Sequence, residues 1–320
     1  MTAPATAPTA PAALTVSRAS GRRLDPAPVR LAKALLPQRV KDAADAVIRA
    51  LTGATARWRP GPDLLVVGTK RGGTTYLWSA LQAHPQVMAM VPRARHLKSS
   101  HYFTEQFRRG ERWYLGHFPT RWARRRHARR HGRALCVEAS PLYLFDPRVP
   151  ARVAAALPQV RVVVLLRDPV HRAFSHYRER VKNGVEGLSF ADALAAEPGR
   201  LGGELARMAE DPAYSSRPRD WYSYRARGEY ADQLRGWFEA LGRDRVLVLR
   251  SEDLYADPAA VLARVQEFAG LDPAPPAPGK RNRSDGDERI DPDSAARLRS
   301  WFAPHNQRLA ELLDEEVWWP

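Results

Sequence analysis

Two short stretches hold residue types and spacings that could do chemistry together. The first, GTKRGGTTY from Gly68 to Tyr76, lies between the apolar run Leu64 to Val67 and the periodic segment Tyr76 to Leu81. A strand feeding a glycine-containing turn and then a helix start aims several backbone N–H groups and the positive helix end at one point. A phosphate or sulfate would bind there. Gly72 and Gly73 let that backbone approach the anion closely. A Walker A loop reads G-x-x-x-x-G-K-[ST]. Gly68 and Gly73 keep this spacing, but Thr74 and Thr75 follow, and the cations Lys70 and Arg71 stand before the glycines. The plainer alternative is an ordinary strand-to-helix turn with surface basic residues.

The second stretch, VVVLLRDPVHRAFSHY from Val162 to Tyr177, weighs against that alternative. It reads as another buried strand ending in Arg167, then Asp168 as helix N-cap with Pro169 at the first helical position. Ser175 falls about two turns into the helix. An arginine at the carboxyl edge of a strand can make paired, charge-assisted bonds to a phosphate, and a serine hydroxyl can add another. Two anion sites on one sheet edge suggest a single ligand with phosphate at both ends.

The elements that must position these residues are legible as short apolar runs separated by helical patterns. Leu64 to Val67, Leu135 to Val137, Val160 to Leu166 and Val246 to Leu249 read as buried strands, with Val87 to Val91 a weaker one. Helices are expected at Thr74 to Ala83, Val170 to Lys182, Tyr230 to Leu241 and Pro258 to Phe268. The alternation predicts an α/β fold, a P-loop-like central parallel sheet flanked by helices. Residues 1–28 are rich in Ala, Pro and Thr and are expected to be a flexible tail. An amphipathic helical extension over 29–60 follows, with Leu36, Val40, Ala43, Val47 and Leu51 on one stripe. Docking on the main domain is its plain reading, and peripheral membrane contact through 29–51 is the rival. The main domain is placed at 61–320.

Composition narrows the partners. The formal net charge is +16, from 51 Lys and Arg against 35 Asp and Glu, which favours an anionic ligand or partner. Seven arginines crowd the thirteen residues Arg121 to Arg133, read first as a solvated helix face and second as a track for an anionic polymer. The single cysteine, Cys136, leaves no internal disulfide or cysteine-built metal site within one chain and fits a reducing cytoplasm. No run of about 18 apolar residues is present, so a soluble, cytoplasmic protein is expected.

At this point the sequence resembles a known family. The stretches LLVVGTKRGGTTYLWSALQAHPQV, KSSHYF, VEASPLYL and VVVLLRDPVHRAFSHY, with RGEYADQLRGWFEALGRDRVLVLRSEDLYADPAAVLARVQEFAGL, look like the sulfotransferase domain that uses 3′-phosphoadenosine 5′-phosphosulfate (PAPS). The flavour is that of the heparan sulfate sulfotransferase-like enzymes of bacteria, and the resemblance runs from about Asp63 to Trp319. It implies that Lys70, Arg71, Gly72, Gly73, Thr74 and Thr75 hold the 5′-phosphosulfate and that Arg167 and Ser175 hold the 3′-phosphate. PAPS is then the donor and adenosine 3′,5′-bisphosphate (PAP) the product, with no metal required. The acceptor would be a hydroxyl or amine, foremost on a carbohydrate, with an anionic glycan among the acceptors.

The chain departs from the family pattern at instructive places. The family loop carries a lysine where Arg71 stands, so Arg71 is expected in that role, with Lys70 the close alternative. The glutamate that precedes H-[FY]-F in the glycosaminoglycan enzymes is replaced by Ser99, a poor base unless activated. His101 is the expected substitute, since histidine titrates near neutrality, and Glu138 is the second candidate base. A plainer reading pairs Glu138 with one of the many arginines. His101 and Glu138 are expected on the acceptor side, Lys98 is expected to bind the acceptor or assist at the donor, with a solvated lysine its plainer reading, and Ala139 stands where the family has a further lysine. Near the carboxyl end, Lys280, Arg281 and Arg283 are expected to close over the adenosine bisphosphate.

Two other classes are weighed against this one. A P-loop kinase or NTPase is disfavoured because Thr74 occupies the Walker lysine position. A basic nucleic-acid-binding protein has charge in its favour but no accompanying zinc finger, homeodomain or RNA-recognition signature.

Overall fold

The computed structural model describes residues 47, 48, 51–92, 95–275 and 289–319. The tail 1–28, most of the extension's amphipathic stripe, and Lys280, Arg281 and Arg283 lie outside the described residues. The two stripe residues that are described, Val47 and Leu51, are exposed.

Five strands form one parallel sheet: β1 (Leu64–Gly68), β2 (Val87–Met88), β3 (Leu135–Ala139), β4 (Arg161–Leu166) and β5 (Val246–Arg250), in the order β2-β3-β1-β4-β5. The strands read as continuous apolar runs because both faces are covered. Successive side chains leave a strand on opposite faces. Leu65 and Val67 of β1 join Val162, Val164 and Leu166 in one core, while Leu64 and Val66 join Val163 and Leu165 in the other.

Helices close the two layers. Those used below are α1 (Thr74–Gln82), α2 (Arg121–His131), α3 (Val149–Ala156), α4 (Pro169–Lys182), α5 (Arg217–Tyr222), α6 (Tyr230–Leu241), α7 (Ser251–Ala256), α8 (Pro258–Ala269) and α9 (Pro292–Leu313). Leu77 and Leu81 of α1 pack with Val261 and Val265 of α8 on one face. Val149 and Val153 of α3 pack with Leu234 and Trp237 of α6 on the other. The arginine-rich α2 is largely solvated, but Arg124 is buried and donates to Asp63 Oδ2 at 2.6 Å, fastening the helix to the start of β1. Among the described residues no helix is long and apolar enough to cross a membrane.

Topology brings the two motif loops to one edge of the sheet. β1 is central, with β3 on one side and β4 on the other, so the chain turns away in both directions from its carboxyl end. Ligands of open α/β sheets bind at such a switch point. The loop 68–73 leaves β1 there, and Arg167 follows β4 there.

Candidate active site

Backbone conformation builds the loop. Gly68 has φ +146°, and a Cβ there would run into the Leu165 backbone of β4. Arg71 and Gly73 have φ of 69° and 86°, left-handed values of the kind found in turns whose backbone N–H groups hold anions. Gly72 N donates to Thr69 O at 3.0 Å, and a Cβ on Gly72 would collide with the Thr69 hydroxyl. No side chain caps the start of α1, so its leading N–H groups remain open to a ligand. From α7, Ser251 Oγ donates to Gly72 O at 2.6 Å and braces the turn.

Lys98 reaches the same helix start. Its Nζ donates to Thr74 Oγ1 at 3.0 Å and to Thr75 Oγ1 at 2.9 Å, and the residue is 5% exposed. Among the described residues it has no carboxylate partner, and burial pulls its ammonium down to about 7.

Lys70 and Arg71 diverge. Lys70 Nζ pairs with Asp220 Oδ1 at 2.6 Å, and Arg227 Nη2 reaches the same oxygen at 3.0 Å. Burial alone would raise the Asp220 carboxyl, but the two cations outweigh it and hold it below its ordinary range. Arg71 turns the other way, where its Nε donates to Ser175 Oγ at 3.1 Å. Arg167 Nη1 donates to Arg71 O at 3.1 Å, while Arg167 O accepts from Tyr230 OH at 2.7 Å. Asp168 caps α4 as its sequence predicts, accepting from Val170 N at 2.7 Å and His171 N at 3.2 Å. The structure thus brings Arg71, Arg167 and Ser175 together and sends Lys70 elsewhere.

The two expected bases sit in contrasting surroundings. Glu138 is fully buried and takes five hydrogen bonds: Ser99 Oγ (3.1 Å), Ser100 N (2.8 Å), Ser100 Oγ (2.8 Å), Tyr143 OH (2.9 Å) and Tyr114 OH (2.8 Å). None comes from an arginine, so its surroundings differ from the paired carboxylate that composition suggests. Its bonds tie down the segment that carries His101. His101 has φ 54°, its N donates to Ser99 Oγ at 3.0 Å, and Ser140 Oγ lies 3.5 Å from Nδ1. Nε2 has no hydrogen bond among the described residues. Burial lowers its pKa, although Glu138 pulls the other way, so the imidazole is neutral at pH 7 and able to accept a proton.

Sequence reasoning missed Asp220 and Arg227, and it did not place Lys98 on the threonines. Asp220 lies 150 residues from Lys70 along the chain, and no local spacing announces such a pairing.

With this geometry in place, the comparisons with known proteins decide the family. The family model described as "Sulfotransferase domain" matches residues 61–284. The chain belongs to the sulfotransferase family. The match bears out the resemblance carried by the two motifs, as the parallel sheet bears out the expected α/β fold. Curated relatives include the heparan sulfate glucosamine 3-O-sulfotransferase 6 of Mus musculus, 31% identical over 210 residues, 66% of this chain and 52% of that protein. The bifunctional heparan sulfate N-deacetylase/N-sulfotransferase 3 of Homo sapiens is 26% identical over 216 residues, 66% of this chain and 22% of that protein. The first of these sulfotransferases is thus matched over about half its length. Among solved structures, a sulfotransferase from Alicyclobacillus acidocaldarius superposes with a TM-score of 0.58 at 28% identity, covering 80% of this chain and 97% of that one.

Proposed function

We propose that this sulfotransferase-family protein transfers the sulfuryl group of PAPS to a hydroxyl or amine of a carbohydrate. The observation that carries the reading is a pair of clusters of cations and hydroxyls on one sheet edge. Lys98, Thr74 and Thr75 form one end, and Arg71, Arg167 and Ser175 form the other. The 5′-phosphosulfate belongs at the first end and the 3′-phosphate at the second. The names of the curated relatives support the carbohydrate acceptor.

The roles follow from the contacts. Thr74, Thr75 and the first N–H groups of α1 orient the phosphosulfate. Protonated Lys98 sits where negative charge develops on the bridging oxygen, a position that neither Lys70 nor Arg71 occupies in this arrangement. Arg71 strengthens the 3′-phosphate end beside Ser175. His101 accepts the proton of the acceptor as its oxygen or nitrogen bonds to sulfur and the bond from sulfur to the bridging oxygen breaks, releasing PAP. Glu138 holds the His101 segment in place.

Calorimetry with PAP tests the cradle. Binding should be tight without magnesium and should weaken by about 10- to 100-fold in Arg167→Ala, the loss of charge-assisted bonds to one phosphate. Equal binding by wild type and variant would sink the two-ended site, and ATP binding that demands magnesium would favour a kinase.

A further inference from the structure

Away from the residues given roles above, a cleft of about 50 Å³ is lined in part by Glu105, Phe145, Asp146, Arg219, Asp220 and Arg227. These come from the turn after His101, from the loop between β3 and α3, and from α5 with the 3₁₀ turn Ala226–Gly228. No residue of the donor cradle lines it, so the cleft is separate from that site.

Two guanidiniums frame the cleft on a shared aromatic wall. Arg219 lies 4.2 Å and Arg227 4.4 Å from the centre of the Phe145 ring, contacts that hold two otherwise flexible side chains. The Arg219 guanidinium makes no hydrogen bond or ion pair among the described residues. Arg227 is 5% exposed, and its Nη2 donates to Asp220 Oδ1 at 3.0 Å and to Arg219 O at 3.3 Å. Its Nε is enclosed without a partner, whereas Nη1 is not enclosed and has no partner among the described residues. Burial pulls Arg227 down only to about 10, so it stays charged at pH 7.

The carboxylates of the lining do not use these donors up. Asp146 takes Arg148 Nε at 3.0 Å and Nη2 at 2.8 Å, and Asp220 is shared between Lys70 and Arg227. Arg148, Lys70, Arg219 and Arg227 therefore outnumber Asp146, Asp220 and Glu105. Burial, and secondarily Asp220, raises the Glu105 carboxyl toward its neutral form, which repels no anion and can donate a hydrogen bond. The volume suits on the order of four water-sized groups, the size of a single sulfate, phosphate or carboxylate. Guanidinium forks bind such groups through paired, charge-assisted bonds.

We infer that this cleft is an oxyanion site separate from the donor cradle, that Arg219 and Arg227 are its ligands, and that it takes one sulfate, phosphate or carboxylate group, carried either by a free ion or by a larger acidic molecule.

The test is calorimetric titration of the full chain, saturated with PAP to fill the donor cradle, with inorganic sulfate at constant ionic strength, and separately with trigalacturonate and with maltotriose. Wild type should bind sulfate and should not bind maltotriose. Arg219→Ala should weaken sulfate binding by about 10- to 100-fold, as expected for lost bonds between charged groups. Arg219→Lys, which keeps the charge without the fork, should recover part of that loss. Unchanged PAP affinity in both variants shows that they are folded. Arg167→Ala, titrated without PAP, should keep the sulfate site. Trigalacturonate bound more tightly than sulfate, and lost in Arg219→Ala, assigns the group to a larger acidic molecule; binding of sulfate alone assigns a free ion. Three results each overturn the inference: no binding of either anion by the PAP-saturated chain, equal binding by wild type and Arg219→Ala, or sulfate binding that is lost in Arg167→Ala and kept in Arg219→Ala. Failure of PAP to bind counts against the donor reading alone, and the Arg167→Ala titration then decides the oxyanion site.

Discussion

Replacing Lys98 by methionine should abolish the pH dependence of PAP binding between pH 7 and 9. In the unliganded protein, burial holds the Lys98 ammonium near 7. An anion at Thr74 and Thr75 favours the charged form, so binding above pH 7 must take up a proton. The protonated fraction falls from about one half at pH 7 to about one hundredth at pH 9, so affinity should weaken by roughly 50-fold over that interval. His101, with its pKa lowered, is already neutral across the interval and adds no slope. Stability carries the opposite sign. The folded lysine is neutral above about 7 and the unfolded one stays charged to about 10.5. Burial of the charge therefore costs most below pH 7, and the cost is relieved as pH rises toward 10.5. The full swing is at most about 5 kcal/mol. Lys98→Met should therefore melt at a higher temperature than wild type at pH 7 while binding PAP less tightly. Calorimetric titrations at pH 7, 8 and 9, in buffers of differing ionisation enthalpy, read affinity and proton uptake together. Equal slopes in wild type and variant, or no proton uptake by wild type at pH 8, would refute the placement of this charge.

Other perturbations separate the remaining roles. His101→Ala should keep PAP affinity and lose about 10²- to 10⁴-fold in turnover; stopped-time assays that find unaltered turnover would remove it as the base. Glu138→Gln replaces one of two accepting oxygens, of which Oε1 takes four donors and Oε2 takes Tyr114 OH, with an amide donor, so it should cost about 1–3 kcal/mol in chemical denaturation and reduce turnover less than His101→Ala. Gly68→Ala meets both a left-handed φ and the Leu165 backbone. A lowered melting temperature and lost PAP binding are expected there, and a wild-type melt would contradict the tight contact. Asp220→Asn leaves Lys70 and Arg227 without their shared counter-charge and should destabilise the unliganded chain by about 3–5 kcal/mol.

Much of the scaffold was legible because its signals are local. Buried runs marked the strands, and Asp168 followed by Pro169 marked the start of α4, since capping depends on neighbours two or three residues away. The cradle was legible in part for the same reason: Gly68, Gly73, Arg167 and Ser175 each sit at a fixed offset from a strand end. What lay hidden was the direction of long side chains. Lys70 and Arg71 are adjacent, yet one turns to Asp220 and the other to Ser175. Lys98 crosses from a separate segment to Thr74 and Thr75, and Glu138 finds hydroxyls rather than an arginine because the serines and tyrosines reach it from three segments. These pairings depend on how loops close over the sheet edge, which neither periodicity nor motif spacing encodes.

The most direct measurement is transfer of labelled sulfuryl from PAPS by the purified chain, with chelator present, across saccharide, phenol, lipid and peptide acceptors. A labelled saccharide together with stoichiometric PAP is expected. PAP binding without transfer to any acceptor, or transfer that survives in the Arg167→Ala and His101→Ala double variant, would contradict it.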